Sequence, residues 1–110
     1  MGDFVVGDIV VVAFPFSDLK KQKMRPALVV AKAEFSNLIL CQITSKPYSS
    51  KIAILIENNN FASGSLPVAS YVRPDKIFTA DPSIIKGKSG SLNELTTKRI
   101  LVEIRQLFTL

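Results

Sequence analysis

Arg25, Thr44 with Ser45, and the stretch Arg73-Pro74-Asp75 supply side chains of the types that act on a phosphodiester. Arg25 stands where a basic loop, Lys20-Lys21-Gln22-Lys23, meets an apolar run, and Pro26 behind it fixes the local backbone and withholds a ladder donor. Thr44 and Ser45 bring two adjacent hydroxyls to the end of the run Leu38 to Ile43. In an extended chain residues two apart face the same side, so Tyr71, Arg73 and Asp75 share one face if Pro74 leaves the strand straight. Each feature also has a plain structural reading. These are a surface arginine at a strand end, hydroxyls that form a turn, and an ordinary ion pair. Together they meet the needs of RNA cleavage without a metal: guanidinium groups for a phosphate and its developing charge, a carboxylate as base, and hydroxyls to orient the substrate. Phe16 and Tyr71 are candidates to stack a base of a single strand, and equally candidates for the core. Lys20, Lys21 and Lys23 would gather a polyanion.

Histidine is absent from the sequence, which removes a paired-histidine ribonuclease mechanism, a Ser-His-Asp triad and any His-ligated zinc site. No cofactor and no metal are expected. Fourteen Lys and Arg against nine Asp and Glu give a net charge of +5, which favours an anionic partner such as nucleic acid or an acidic peptide. The one cysteine, Cys41, cannot form an internal disulfide, and its apolar neighbours predict a buried, inert thiol.

These residues must be positioned by a single small domain, residues 1–110, in which 47% of the residues are hydrophobic and no internal repeat is visible. The longest apolar run, Ile9 to Phe14, falls far short of the ~18 residues that span a bilayer. The N-terminal residues carry acids and no basic segment before an apolar one, so a cytoplasmic protein without a membrane contact is expected. Residues 7–16 read as a strand stopped by Pro15, 17–24 as a loop, 25–33 as a second strand and 34–37 as a short turn or a single helical turn. Residues 38–44 make a third strand and 51–58 a fourth, followed by a long polar connection over 58–67. Residues 68–79 read as a fifth strand interrupted at Pro74, and 81–90 as turns. Ser91-Leu92-Asn93-Glu94 fits a capping box opening a helix whose stripe would be Leu95, Ile100, Ile104, Leu107 and Phe108. The fold expected is mainly β with one helix: a bent, partly closed barrel of short antiparallel strands covered by the C-terminal helix.

The order Gly7 to Asp18, then Lys23 to Val30, then Leu38 to Ser45, then Ser70 to Thr79 and a terminal helix resembles the MazF/PemK family of type II toxin-antitoxin systems, across essentially the whole chain. The resemblance implies an SH3-like barrel, a homodimer, metal-independent cleavage of single-stranded RNA such as mRNA at short sequences, and an acidic antitoxin partner. It places the family's arginine before proline on Arg25 and its Thr-Ser strand end on Thr44 and Ser45. One branch of the family gives acid and base roles to an arginine and an aspartate that match Arg73 and Asp75, whereas another stresses the first arginine and the threonine. Some relatives carry a histidine in the first loop and others glycines, where this chain has lysines. A non-enzymatic inhibitor of DNA gyrase and a barrel that binds RNA without cutting it are the alternatives.

Overall fold

The computed structural model describes residues 3–15, 22–47 and 50–110. Its strands are β1 (Asp8–Pro15), β2 (Gln22–Lys32), β3 (Leu38–Thr44), β4 (Ile54–Ile56), β5 (Phe61–Gly64), β6 (Ser70–Ala80) and β7 (Ile85–Leu92), and its helix is α1 (Glu94–Gln106). The seven strands make one antiparallel sheet in the order β4-β6-β3-β2-β1-β7-β5. Its two edges, β4 and β5, are consecutive in the chain and joined only by a short turn, Asn58–Asn60. Flat, seven strands would hold their edges about 29 Å apart, whereas the five residue steps from Ile56 to Phe61 reach at most about 18 Å. The sheet must therefore curl into a half-barrel, and register breaks in four of its pairings supply the bends.

A curled sheet buries both of its faces, which is why the strands are apolar at consecutive positions rather than alternately. Ile9, Leu28, Cys41, Ile43 and Val72 pack on one face with Ile100 and Ile104 of the helix. Val10, Val12, Ala27, Val29, Leu40 and Ala80 pack on the other. Each Val, Leu or Ile among them, when fully buried, stabilises the fold by roughly 1.5–3 kcal/mol. Cys41 is fully buried, as its neighbours predict, and burial first and the charge of Asp75 second push its thiol up to about 12.

The structure corrects several expectations about the elements. Residues 58–67 and 81–90 are more than connections, since they hold β5 and β7. Their small residues permit a close crossing: a Cβ on Gly64 would lie 2.2 Å from the Ser89 carbonyl oxygen and one on Gly90 2.5 Å from that of Ser63. β2 begins at Gln22, inside the expected loop, and β4 is only three residues long. β6 runs through Pro74 without interruption, because its register with β3 jumps from Ile43↔Val72 to Cys41↔Ile77. Two steps on β3 face five on β6, so Pro74 falls in surplus backbone where no ladder donor is required.

Ser91 does not cap the helix. It is in β7, and its hydroxyl donates at 2.7 Å to the buried Asp8 carboxylate, which also accepts from the Val5 N–H at 2.9 Å. Asn93 is the cap instead, its Oδ1 accepting from the Thr96 N–H at 2.8 Å. Of the expected stripe, Ile100 and Ile104 reach the core, joined by Thr96 and Thr97, while Leu95, Leu107 and Phe108 are exposed. Among the described residues no helix is long and apolar enough to cross a membrane.

Candidate functional site

Strand register decides which candidate side chains meet. Arg25 pairs with Val12 across β1, and Tyr71 pairs with both Thr44 of β3 and Leu55 of β4. Arg25 and Thr44 each lie two residues beyond the last β2–β3 pair, Ala27↔Gln42. Directly opposed residues share a face, so Arg25, Thr44 and Tyr71 form one transverse row at the end of the sheet. Arg73, two residues after Tyr71 and separated from it by the buried Val72, continues that face into the β6 bulge.

At this end a half-open cavity of about 350 Å³ is lined by Lys23, Met24 and Arg25 of β2 and by Thr44 and Ser45 at the end of β3. Its far wall is the segment Leu66-Pro67-Val68, Val11, Pro26 and Ile43 add apolar lining from the strands, and Ser70 and Ser89 complete it. Arg25 is half-buried on a central strand, so its guanidinium extends from backbone that the ladder to β1 holds rigid. Thr44 closes the turn at its strand end: its Oγ1 accepts from the Lys46 N–H at 3.1 Å and donates to the Lys46 carbonyl at 3.2 Å. The turn-forming role of this hydroxyl is thus real, and it fixes the side chain of a cavity-lining residue.

Arg73 and Asp75 form the ion pair that their spacing allows. Nε donates to Oδ1 and Nη2 to Oδ2, both at 3.2 Å, a bidentate fork across the surplus backbone of the bulge. The hydrogen bond from Arg73 first, then a backbone hydrogen bond and the charges of Arg73 and Lys76, hold the Asp75 carboxyl below its ordinary value in spite of partial burial. Neither residue lines the cavity that holds Arg25, and Tyr71 does not line it either. The candidates therefore divide into a cavity group, Lys23, Arg25, Thr44 and Ser45, and a bulge group, Tyr71, Arg73 and Asp75. Phe16, Lys20 and Lys21 lie outside the described residues.

Sequence reasoning missed Ser70, Ser89 and the Leu66–Val68 wall. Ser89 arrives with β7, which small residues disguise as turns, and the wall follows a stretch without hydrophobic periodicity. Among the described residues no three side chains of the metal-ligating acidic and thiol types converge.

The model of the family described as PemK-like, MazF-like toxin of type II toxin-antitoxin system matches residues 6–108. No curated protein sequence matches the chain. Among solved structures, MazE-MazF (Form-III) from Deinococcus radiodurans superposes with a TM-score of 0.75 at 16% identity over 96% of both chains. An endoribonuclease in complex with its cognate antitoxin from a mycobacterial species gives 0.73 at 14% identity, over 96% of this chain and 93% of that one. The Mycobacterium tuberculosis toxin MazF-mt6 gives 0.62 at 17% identity, over 86% and 90%. These likenesses show that the half-barrel with its C-terminal helix is the MazF fold.

Proposed function

The chain belongs to the PemK-like, MazF-like toxins of type II toxin-antitoxin systems, and we propose that it is a metal-independent endoribonuclease acting on single-stranded RNA in the cytoplasm. The observation that carries this reading is the cavity that brings Arg25, Lys23 and the hydroxyls of Thr44 and Ser45 to one end of a rigid sheet. Two cations and two hydroxyls around a space of about 350 Å³ suit a phosphodiester with one flanking nucleoside. The substrate's own 2′-oxygen is the nucleophile. It gives up its proton and bonds to phosphorus, the P–O5′ bond breaks, and O5′ takes a proton, leaving a 2′,3′-cyclic phosphate and a 5′-hydroxyl. Arg25 stabilises the charge that builds on the phosphoryl oxygens, and Thr44 and Ser45 orient them.

Asp75 is a weak proton acceptor near neutrality, because Arg73 already stabilises its ionised form. Its role is to position Arg73, whose Nε and Nη2 it holds, as a second contact for the RNA chain. The protein works as a homodimer and is silenced by an acidic antitoxin. The solved MazE-MazF complexes make such a partner the natural expectation, and the net charge of +5 supplies the attraction.

The test is incubation of the pure protein with RNA in excess EDTA, with a second substrate carrying one 2′-deoxy nucleotide at the cut site. Cleavage of the first and not of the second is expected, with a cyclic phosphate on the product. Continued cutting at the deoxy position would sink the mechanism.

A further inference from the structure

Leu66-Pro67-Val68 is the wall of a second cavity as well. On its other side lies a pocket of about 160 Å³ floored by Ile56 and Phe61 and edged by Glu57 and Asn58. The two cavities thus flank one apolar ridge, whose Val68 is 58% exposed. The second is well below the ~300 Å³ of an ordinary small-molecule site and suits a single planar ring system. Its polar edge is built on an anchored turn. The Glu57 side chain accepts from the backbone of Asn60, and Asn60 Oδ1 accepts from the Glu57 N–H at 2.8 Å. Asn60 Nδ2 reaches Thr96 Oγ1 of the helix at 3.2 Å, and Asn93 Nδ2 reaches the Asn59 carbonyl at 3.3 Å. Of the three successive asparagines, Asn60 and the Asn59 carbonyl tie the turn to the helix, the Asn58 carbonyl accepts from the Phe61 N–H within it, and Asn58 edges the pocket.

We propose that this pocket is a nucleobase subsite for the RNA strand whose phosphate occupies the Arg25 cavity, a proposal that rests on the RNA reading above. The ridge separates two neighbouring nucleotides, and the base beyond it enters against Ile56 and Phe61 with its Watson–Crick edge toward Glu57 and Asn58. Single-stranded RNA is read in this way, by splayed bases on apolar surfaces with hydrogen bonds to their edges. A carboxylate accepts hydrogen bonds only, so it favours a base with an exocyclic amino group, namely cytosine, adenine or guanine. Uracil offers that edge only its N3–H, flanked by two carbonyl oxygens that repel the carboxylate, and is disfavoured. The subsite therefore selects an amino-bearing base at one fixed offset from the phosphate.

Binding of uncleavable 2′-fluoro heptanucleotides, followed by fluorescence anisotropy, tests this with the full chain. Uracil is placed at each position in turn within a sequence of amino-bearing bases. The expected result is one position at which uracil weakens binding about tenfold in the wild type, a penalty that shrinks to within about twofold in Glu57→Gln. Gln keeps an acceptor oxygen for the Asn60 cap, and Asn58→Ala, outside the anchoring bonds, is the second variant and should lower the same preference. The proposal is overturned if no position discriminates, if both variants retain the full penalty, or if the wild type binds no heptanucleotide. Cleavage of ordinary RNA by the wild type reports separately on the nuclease reading, so a protein that cuts RNA without this preference refutes the subsite alone.

Discussion

Replacing Arg25 with alanine separates catalysis from folding. The residue sits half-buried on β2, paired with Val12 and two positions from the fully buried Ala27. Its removal takes a guanidinium donor from the developing negative charge, a loss that typically lowers turnover ~10²- to 10³-fold, or about 2.7–4 kcal/mol of barrier. The cost to folding is smaller, on the order of 1 kcal/mol for a side chain that leaves the core beneath it intact. A domain at the low end of stability, ~5 kcal/mol, would still hold roughly a thousand folded molecules for each unfolded one. Unfolding therefore cannot account for a hundredfold loss. Arg25→Lys should fall between wild type and alanine, because it keeps the charge and loses the two-pronged donor. A fluorogenic RNA substrate in excess EDTA gives the rates, and thermal unfolding of the same samples gives the stabilities. A folded Arg25→Ala protein cutting within about threefold of the wild-type rate would refute the reasoning and return Arg25 to a surface arginine at a strand end.

Asp75→Asn should weaken RNA binding by loosening Arg73 and also flatten the acid limb of stability. A carboxyl held below its ordinary value contributes fully above about pH 4 and loses that contribution as pH falls through its lower folded value, so denaturant midpoints from pH 6 to 2 should drop less in the variant, by under ~1 kcal/mol for this partly exposed pair. Gly64→Ala should cost about 2 kcal/mol or more, read from chemical unfolding, since φ is +69° and the new Cβ would lie 2.2 Å from the Ser89 carbonyl oxygen. Asn93→Ala should destabilise by about 1 kcal/mol and speed amide exchange in the first turn of α1, whereas Ser91→Ala should leave that turn protected while it removes a 2.7 Å bond to buried Asp8.

The sequence speaks plainly where hydrophobic content and turn chemistry agree. Leu38 to Thr44 reads as a strand and is one, bounded on each side by a turn. β5 and β7 were illegible because their composition encodes close approach rather than burial. Phe61 to Gly64 shows one half-buried side chain followed by three exposed ones, and β7 carries two glycines and two serines, which propensity assigns to turns. What holds them is register, with Phe61 against Leu92 and Gly64 against Gly90, and no local signal reports it. The helix cap failed for a related reason. Ser91 and Asn93 are both good cap residues, and the choice was settled by Asp8, 83 positions away in the chain, which claims the serine.

The site was legible in its residues and illegible in its grouping. Arg25, Thr44 and Ser45 stand out singly, yet only the antiparallel register of β2 with β1 and β3 places them together. That register is enforced by the alternation of Ala27 and Val29 into one core cluster and Leu28 into the other. A slip of one residue on β2 would drive Leu28 to the opposite face and carry Arg25 away from Thr44 at the same time. The aim of the guanidinium and the packing of the core are thus one constraint. The Arg73-Asp75 spacing expresses a different one, because two residues apart in an extended strand suffices for an ion pair with no tertiary partner at all. A motif that the local chain satisfies by itself is weak support for catalysis, whereas side chains from separate strands converging on one cavity require the whole fold. On that ground Arg25 is the stronger candidate for the proposed chemistry, and the Arg73-Asp75 pair is the weaker one.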